Sequence, residues 1–572
     1  MNKSKSMIVT ILTVSSLFLL CGFTAFRGET GNGGANVTEA KTPINPERGG
    51  TIWTRSFSSF DGMTAMNSDP ILSEDSIFIV SKNTLYALDY KGEIQKQMTL
   101  AGTMNSICHL LYEDHYLYIP LAKGIVECVD TKNFTEVWVS ESPEGQSGSQ
   151  ALSTLFYHDG YVYGGTVTVI TNSPPTSTGV FYCLNAATGK EVWTYENTEN
   201  AGGYYWSGGI VHGNAIYFTG ENGILVSHSL TTEEVYDTYT LTDSAQIRAG
   251  ITYDSTNDSL YTASNDGTIF KIKVEQNGII ASVESAKLAA AISKSEKSEI
   301  KFVNCTSTPT IYNNRLYIGC SADTYGYLTV LDADTLNGLY AAKTAQYAEV
   351  KASPLVSKNY ATEENNNKVY VYFTCNCNPG GIYLMEDSEK AESVVVKTLF
   401  EPAKAKQFCL SSVTAGADGT LYYSNDSGTL FAVADVDVSS DRIVDESDEM
   451  GNNSGSQSDN TENKSTSAGS NTPQNNVANS TEQEVSKPKK PTGIKIKKKK
   501  KKIVITWKKK TKKSQTVVYV KYGKRAWKKK LVKTKTKLSI KRKKKTKIRL
   551  RSRIYKNKKW IYSKYTKIYT IR

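Results

Sequence analysis

The side chains able to do chemistry are sparse through most of this chain and crowded at one end. Nine cysteines stand at 21, 108, 128, 183, 305, 320, 375, 377 and 409. They lack both the CxxC pairs of a zinc site and the dense spacing of a disulfide scaffold, so they read as small buried hydrophobes. Cys375 and Cys377 flank Asn376 on an expected strand, which puts them on one face, but no histidine lies close in sequence. Nucleophile elbow, HExxH and phosphate-binding glycine loop are all missing. The sequence therefore predicts no enzyme, no catalytic residue, no metal and no cofactor. The crowded end runs from Lys487 to Arg572, with 39 Lys and Arg and no Asp or Glu; the rest of the chain holds 30 basic side chains against 56 acidic ones. A net +13 thus conceals about +39 in the tail and −26 elsewhere, and a tail with that field binds polyanions.

Composition divides the 572 residues before any motif is read. Residues 1–26 open with Lys3 and Lys5 and run uncharged from Met7 to Phe26, the basic and apolar regions of an export signal. The run of 20 residues also suffices to span a bilayer, so cleaved signal peptide and retained membrane anchor through residues 7–26 both fit. Cys21 follows Leu20, where a lipobox needs Gly, Ala or Ser. Residues 27–48 are expected to be a flexible segment, 49–436 a repeat domain, 437–486 a disordered linker too poor in apolar residues to fold, and 487–572 a separate Lys-rich module.

Within residues 49–436 one pattern recurs, beginning near Ser68, His109, Ser153, Gly208, Gly250, Thr308, Ser353 and Ser412. Each copy has alternating apolar strands joined by turns such as His158-Asp159-Gly160 and Asn265-Asp266-Gly267, residues that accept the positive φ of a tight β-turn. A spacing of roughly 40–60 residues suits four-stranded sheets repeated radially. The final copy stops near Val433 without a fourth strand, and GGTIWTRSF (Gly49–Phe57) has the character of the missing piece. The expected fold is all-β: an eight-bladed β-propeller closed by the N-terminal strand, with a seven-bladed ring or an open stack as alternatives. Residues 281–300 are the only long stretch able to form a helix.

NAATGKEVW (Asn185–Trp193), with weaker copies at Asp130–Trp138 and Asp332–Tyr340, resembles the repeat of pyrroloquinoline-quinone-type propellers. The resemblance implies that Trp138 and Trp193 pack between blades and that Gly189 turns the outer hairpin. Some members of that family are quinone-dependent dehydrogenases with calcium in the funnel; others bind proteins and catalyse nothing. The former show adjacent cysteines against the cofactor, a pair this chain lacks, so the expectation is a non-enzymatic binding or scaffold protein, with a diverged quinone- or metal-dependent oxidoreductase as the alternative.

If the propeller binds a ligand, the segments leading into the inner strands line the mouth. Aligning DPIL, AGIT, TPTI and SPLV makes Asn67, Arg248, Thr306 and Lys351 equivalent, with Trp206 of GGYYWSGG in the fourth copy. This ring suits a peptide or glycan; the alternative is that Tyr204, Tyr205 and Trp206 fill space.

In the tail, apolar residues recur at every second position: Ile494 and Ile496; Ile503, Ile505 and Trp507; Val518 and Val520; Leu538 and Ile540; Ile548 and Leu550. Strands with one buried face and one lysine face follow. The module resembles a fibronectin type III β-sandwich, with Trp507 structural in its second strand. Lys497, Lys499, Lys509, Lys529, Lys543 and Lys545 are the expected polyanion-binding face. Envelope polyanions or surface glycans are the expected partners, beside other proteins. Sequence-specific nucleic acid is not expected, because lysine is a point charge while base readout favours Arg, Asn and Gln; non-specific binding to nucleic acid stays an alternative. The expected location is extracellular or at the bacterial cell envelope.

Overall fold

The computed structural model describes residues 36–57, 68–104, 109–143, 153–170, 176–196, 202–436, 489–508, 514–522, 528–532, 536–541, 546–556, 559–563 and 566–571. The leader, the linker at 437–486 and Asn67 lie outside these residues, as do Lys509, Lys543 and Lys545. Among the described residues no helix is long and apolar enough to cross a membrane.

Residues 68–436 form eight antiparallel sheets in chain order: sheet 1 (71–99), sheet 2 (111–139), sheet 3 (156–196), sheet 4 (209–240), sheet 5 (252–287), sheet 6 (303–346), sheet 7 (355–400) and sheet 8 (414–435). Sheets 1 to 5 take four strands each from one continuous stretch, sheet 6 takes five, and sheet 7 takes four and adds Val37–Thr38 in parallel from the N-terminal side. Sheet 8 takes its fourth from the other end of the chain, where Gly49–Ser56 lies antiparallel on Thr429–Asp435. Strands that are buried on both faces in the middle of each sheet carry the apolar runs read from the sequence, such as Ile77–Ser81 and Val369–Thr374.

The sheets pack face to face through shared apolar clusters. Phe78 and Val80 of sheet 1 meet Leu117 and Ile119 of sheet 2; Tyr118 and Trp138 of sheet 2 meet Val162 and Leu184 of sheet 3. The succession continues to sheet 8, whose Tyr422, Leu430 and Ala432 pack against Leu72, Ile77 and Ile79 of sheet 1. Each large side chain buried in this way contributes about 1.5–3 kcal/mol.

The outer hairpins show why the repeat has its residue types. Asn185 Oδ1 accepts from the backbone N–H groups of Ala187 and Thr188, both at 3.1 Å, and from the Thr188 hydroxyl. Asp130 and Asp332 receive their turns alike. Gly189 then takes φ +69°, and a Cβ there would stand 2.4 Å from the Trp138 ring. Trp138 of sheet 2 thus seats on the turn of sheet 3 and donates its Nε1–H to Ala186 O at 3.0 Å. Trp193 of sheet 3 reaches Leu230 O of sheet 4 at the same distance. Trp53, in the strand from the N-terminal end, does the same to Tyr90 O of sheet 1.

Three expectations need correction. Residues 281–300 are not one helix: Ile280–Lys287 is the outer strand of sheet 5, and only Leu288–Glu296 is helical. Pairing with Thr268–Val274 outweighs the weak helix preference of the first half. Cys375 and Cys377 lie beyond the strand Val369–Thr374, Cys375 buried and Cys377 half-buried in the following turn, so strand alternation does not place them. Residues 36–48 are not free: Val37–Thr38 pairs in parallel with Val356–Ser357, and buried Thr42 shares a 2.8 Å hydrogen bond with the Tyr372 hydroxyl.

The Lys-rich module forms two sheets. One holds Thr492–Lys498, Lys502–Lys508 and Lys537–Lys541; the other orders Lys528–Val532, Gln515–Tyr522, Thr546–Lys556 and Lys559–Tyr562, with Tyr569–Ile571 also on Thr546–Lys556. Ile503, Ile505, Trp507, Val518, Val520, Ile540, Ile548 and Leu550 make one core between them. Trp507 satisfies its Nε1–H on Thr516 Oγ1 at 2.9 Å.

Candidate functional site

The segments that lead into the inner strands are tied to one another across sheet boundaries. Gly250 N–H donates to Thr308 Oγ1 at 2.9 Å, Ser307 Oγ to Ala352 O at 2.9 Å, and Ser353 N–H to Ser412 Oγ at 3.1 Å. Ser412 N–H in turn donates to Asp69 Oδ1 at 3.2 Å, which joins sheet 8 to sheet 1. Backbone bridges add to this belt, Ser153 with Trp206 and Glu349 with Asn376. Short polar residues recur here because each satisfies a backbone group that no strand pairs.

The belt rims an open depression of about 390 Å³ lined by His109, Trp206, Arg248, Thr306, Thr308, Lys351, Ala352, Ser353, Leu410 and Ser412. Four of the five residues aligned from sequence, Trp206, Arg248, Thr306 and Lys351, therefore meet in one place although they come from four successive repeats. A smaller depression of about 250 Å³ beside it shares His109 and Ser412 and adds Asp69.

Two ion pairs and a histidine–carboxylate contact shape the larger depression. Arg248 meets Glu221 at 2.7 Å, Lys351 meets Glu349 at 2.8 Å, and His109 Nδ1 meets Asp69 at 2.7 Å. Glu221 is 2 % exposed in its side chain and also accepts from the Ser177 hydroxyl; the Arg248 guanidinium stacks 4.5 Å from the Tyr205 ring centroid. In each pair the cation lines this depression and the carboxylate does not. Thr306 Oγ1 is buried with no hydrogen-bond partner among the described residues.

The aromatic triplet divides. Tyr204 is 1 % exposed and packs edge-on against the stacked rings of Phe181 and Phe218, so this residue fills space. Tyr205 holds Arg248, and Trp206, at φ +60°, lines the depression. Sequence alignment missed His109, Glu221 and Asp69. The signal for Asp69 was present: Asp69, Thr308 and Ser353 occupy the position two residues after the aligned ring, and that position forms a second set of lining groups.

Elsewhere the strongest polar cluster is saturated. Asp387, wholly buried, takes Arg315 at 2.7 and 3.0 Å and the hydroxyls of Tyr317 and Tyr340 at 2.7 and 2.6 Å. His228, stacked on Trp193 with centroids 4.0 Å apart, has its pKa pushed down to about 4 by burial. Burial lifts Asp426 to about 6. Among the described residues no three His, Cys, Asp or Glu side chains are grouped to hold a metal.

In the Lys-rich module Lys497 and Lys499 are exposed, and Lys529 lies on the strand Lys528–Val532. Arg549 and Arg551 stand 5.7 and 5.4 Å from the Tyr519 ring centroid.

Radially repeated four-stranded sheets, with a Trp from one sheet seated on the turn of the next, define a β-propeller of the pyrroloquinoline-quinone type. The chain belongs to the family described as outer membrane protein assembly factor BamB, whose model matches residues 42–282 and again 122–372. BamB from Moraxella catarrhalis is 14 % identical, with 68 % of this chain and 97 % of that one covered and a TM-score of 0.45. A quinohemoprotein alcohol dehydrogenase from Comamonas testosteroni is 10 % identical, with 70 % and 78 % covered and a TM-score of 0.50. Another from Pseudomonas putida HK5 is 10 % identical, with 71 % and 80 % covered, also at 0.50. At these identities the likeness is one of fold. No curated protein matches the chain in sequence.

Calcium, which the dehydrogenase branch of the resemblance implies, asks for several oxygen ligands that include carboxylates. The depression turns cations inward and engages its carboxylates behind them, so its donor set does not fit that ion.

Proposed function

We propose that this is a non-enzymatic, exported binding protein of the bacterial envelope, an eight-bladed propeller closed by its N-terminal strand, whose axial depression engages another protein. The observation that carries the reading is the convergence of Trp206, Arg248, Thr306 and Lys351, far apart in sequence, on one open depression. A mouth that gathers one residue from each of several repeats offers a ligand contacts in a fixed register. Membership of a family described by an outer-membrane assembly factor favours a protein partner at the envelope. The absence of adjacent cysteines from the sequence, and a donor set unsuited to calcium, favour a role without quinone chemistry. Closure of the ring is supported by the apolar contact of sheet 8 with sheet 1 and by Trp53 seated on Tyr90.

The Lys-rich module is read as a fibronectin type III-like sandwich that attaches the protein to anionic envelope polymers. Its two facing sheets, of three and five strands, around Trp507 support the fold, and its exposed lysines support the attachment.

Affinity capture from envelope extracts with the full chain and with the Trp206→Ala and Lys351→Glu variants tests the first reading. A protein captured by the parent and lost from both variants is expected; equal capture by all three would refute it. Deleting residues 487–572 is expected to release the protein from cells at low salt, and unchanged retention would refute the attachment.

A further inference from the structure

We infer that the axial depression is a carboxylate-binding site and that its occupant is the free C-terminal end of a polypeptide. This rests on the reading that the depression is the binding surface. Its cations are set for an anion: Arg248 and Lys351 line it, and each is held from outside the lining by its own carboxylate, Glu221 or Glu349, while His109, which also lines it, is held by Asp69 of the adjoining depression. Those carboxylates are themselves occupied, Glu221 by Ser177, Glu349 by Ser321 and Asp69 by the Ser412 N–H. The cations are therefore fixed in place without their counter-charges standing in the depression, an arrangement that lets a carboxylate gain charge-assisted hydrogen bonds with little reorganisation. Thr306 Oγ1, buried and without a partner among the described residues, is a further group that an incoming carboxylate oxygen would satisfy.

The surroundings select a chain end over an isolated acid. Ten residues from several repeats line the depression, more than a lone carboxylate can touch. Trp206, Leu410 and Ala352 supply apolar wall for the side chain that carries the acid. The segments leading to Thr306 and Lys351 expose Phe302 (80 %) and Tyr347 (69 %). Both flank the turn at Asp323–Thr324: Val303, next to Phe302, pairs with Ala322, and Tyr347 N–H donates to Thr324 O. Such exposed aromatics suit the residues that precede a terminus and have no counterpart to meet in a small free acid.

The test is fluorescence polarisation with the full chain and labelled pentapeptides that differ only in the last residue (Ala, Leu, Phe or Lys), each as free acid and as amide. Salt of about 0.3 M screens the Lys-rich module. The free acid is expected to bind about tenfold or more tighter than its amide, and Lys351→Met to remove most of that difference. Comparison of acid with amide on the parent protein needs no variant, so a folding defect does not obscure it. Equal binding of acid and amide would overturn the carboxylate assignment, yet leave the binding reading intact if capture remains sensitive to Trp206 and Lys351. Displacement of the peptides by acetate or by a carboxylated quinone at equal concentration, irrespective of the last residue, would overturn the assignment to a chain end.

Discussion

Ion pairs in two regions of this molecule do opposite things. Between sheets 6 and 7, Asp387 is wholly buried and gathers Arg315, Tyr317 and Tyr340, so that no acceptor is left for anything else. At the axial depression the pairs are one-sided: each carboxylate is occupied behind the wall while its cation still faces open space. A saturated polar cluster fixes neighbouring sheets against each other; an incompletely satisfied one keeps capacity for a ligand.

The sharpest way to break the comparison is to attack the saturated side. Asp387→Ala strands a buried guanidinium and two tyrosine hydroxyls, and loss of one partner from a buried pair costs about 3–5 kcal/mol; a large fall in the denaturant midpoint is expected, without a selective effect on binding. Trp53→Ala removes the indole that joins sheet 8 to sheet 1, with an expected loss of about 3 kcal/mol, matching Trp138→Ala if both seams are alike. His228 gives a pH-dependent version of the same structural role. Its folded pKa of about 4 lies below the ordinary 6.5, so its contribution is intact above pH 6.5 and is lost as the pH falls towards 4, by about 2–3 kcal/mol. Asp426, raised to about 6 from 3.8, works the other way: it stabilises below pH 3.8 and loses that contribution as the pH rises through 6. Between pH 7 and 4.5 the two contributions oppose and partly cancel in the parent, so His228→Leu should shift the change in denaturant midpoint towards greater relative stability at pH 4.5, by the His228 share alone. The smallest expected effect belongs to the open side. Lys351→Met breaks a pair whose side chains are 26 % and 35 % exposed, worth about 0–1 kcal/mol, and should leave the melting curve nearly unchanged while weakening ligand binding.

The two regions also differ in how far the sequence reveals them. Period-two alternation and turn residues place the eight sheets, and NAATGKEVW announces the seating of Trp193 because Asn185, Gly189 and the indole act within one hairpin and its neighbour. Repeat alignment extends this to the mouth, since equivalent positions in a radial fold share a distance from the axis; hence Trp206, Arg248, Thr306 and Lys351 were legible together. Asp387 was not, because its partners Arg315, Tyr317 and Tyr340 come from another repeat, and although Tyr340 stands at the recurring Trp position nothing local marks Asp387 as the group it meets. Glu221 was hidden for the same reason. The outer strand Ile280–Lys287 was obscured by local composition, Ala and Ser with a helix-like spacing of Ile280, Val283 and Ala286, which only pairing with Thr268–Val274 overrides. In the Lys-rich module, alternation alone marked the core residues Ile503, Ile505, Val518, Val520, Ile548 and Leu550, because β-branched and leucine side chains recur there at every second position.

The central claim, that the axial depression is where this protein meets its partner, is tested most directly by photo-crosslinking from position 351 at the mouth and, separately, from position 239 on an outer strand, where Tyr239 is 43 % exposed. The account predicts a discrete crosslinked polypeptide from position 351, suppressed by Trp206→Ala, and none from position 239. The same product from position 239 with nothing from position 351 would contradict it.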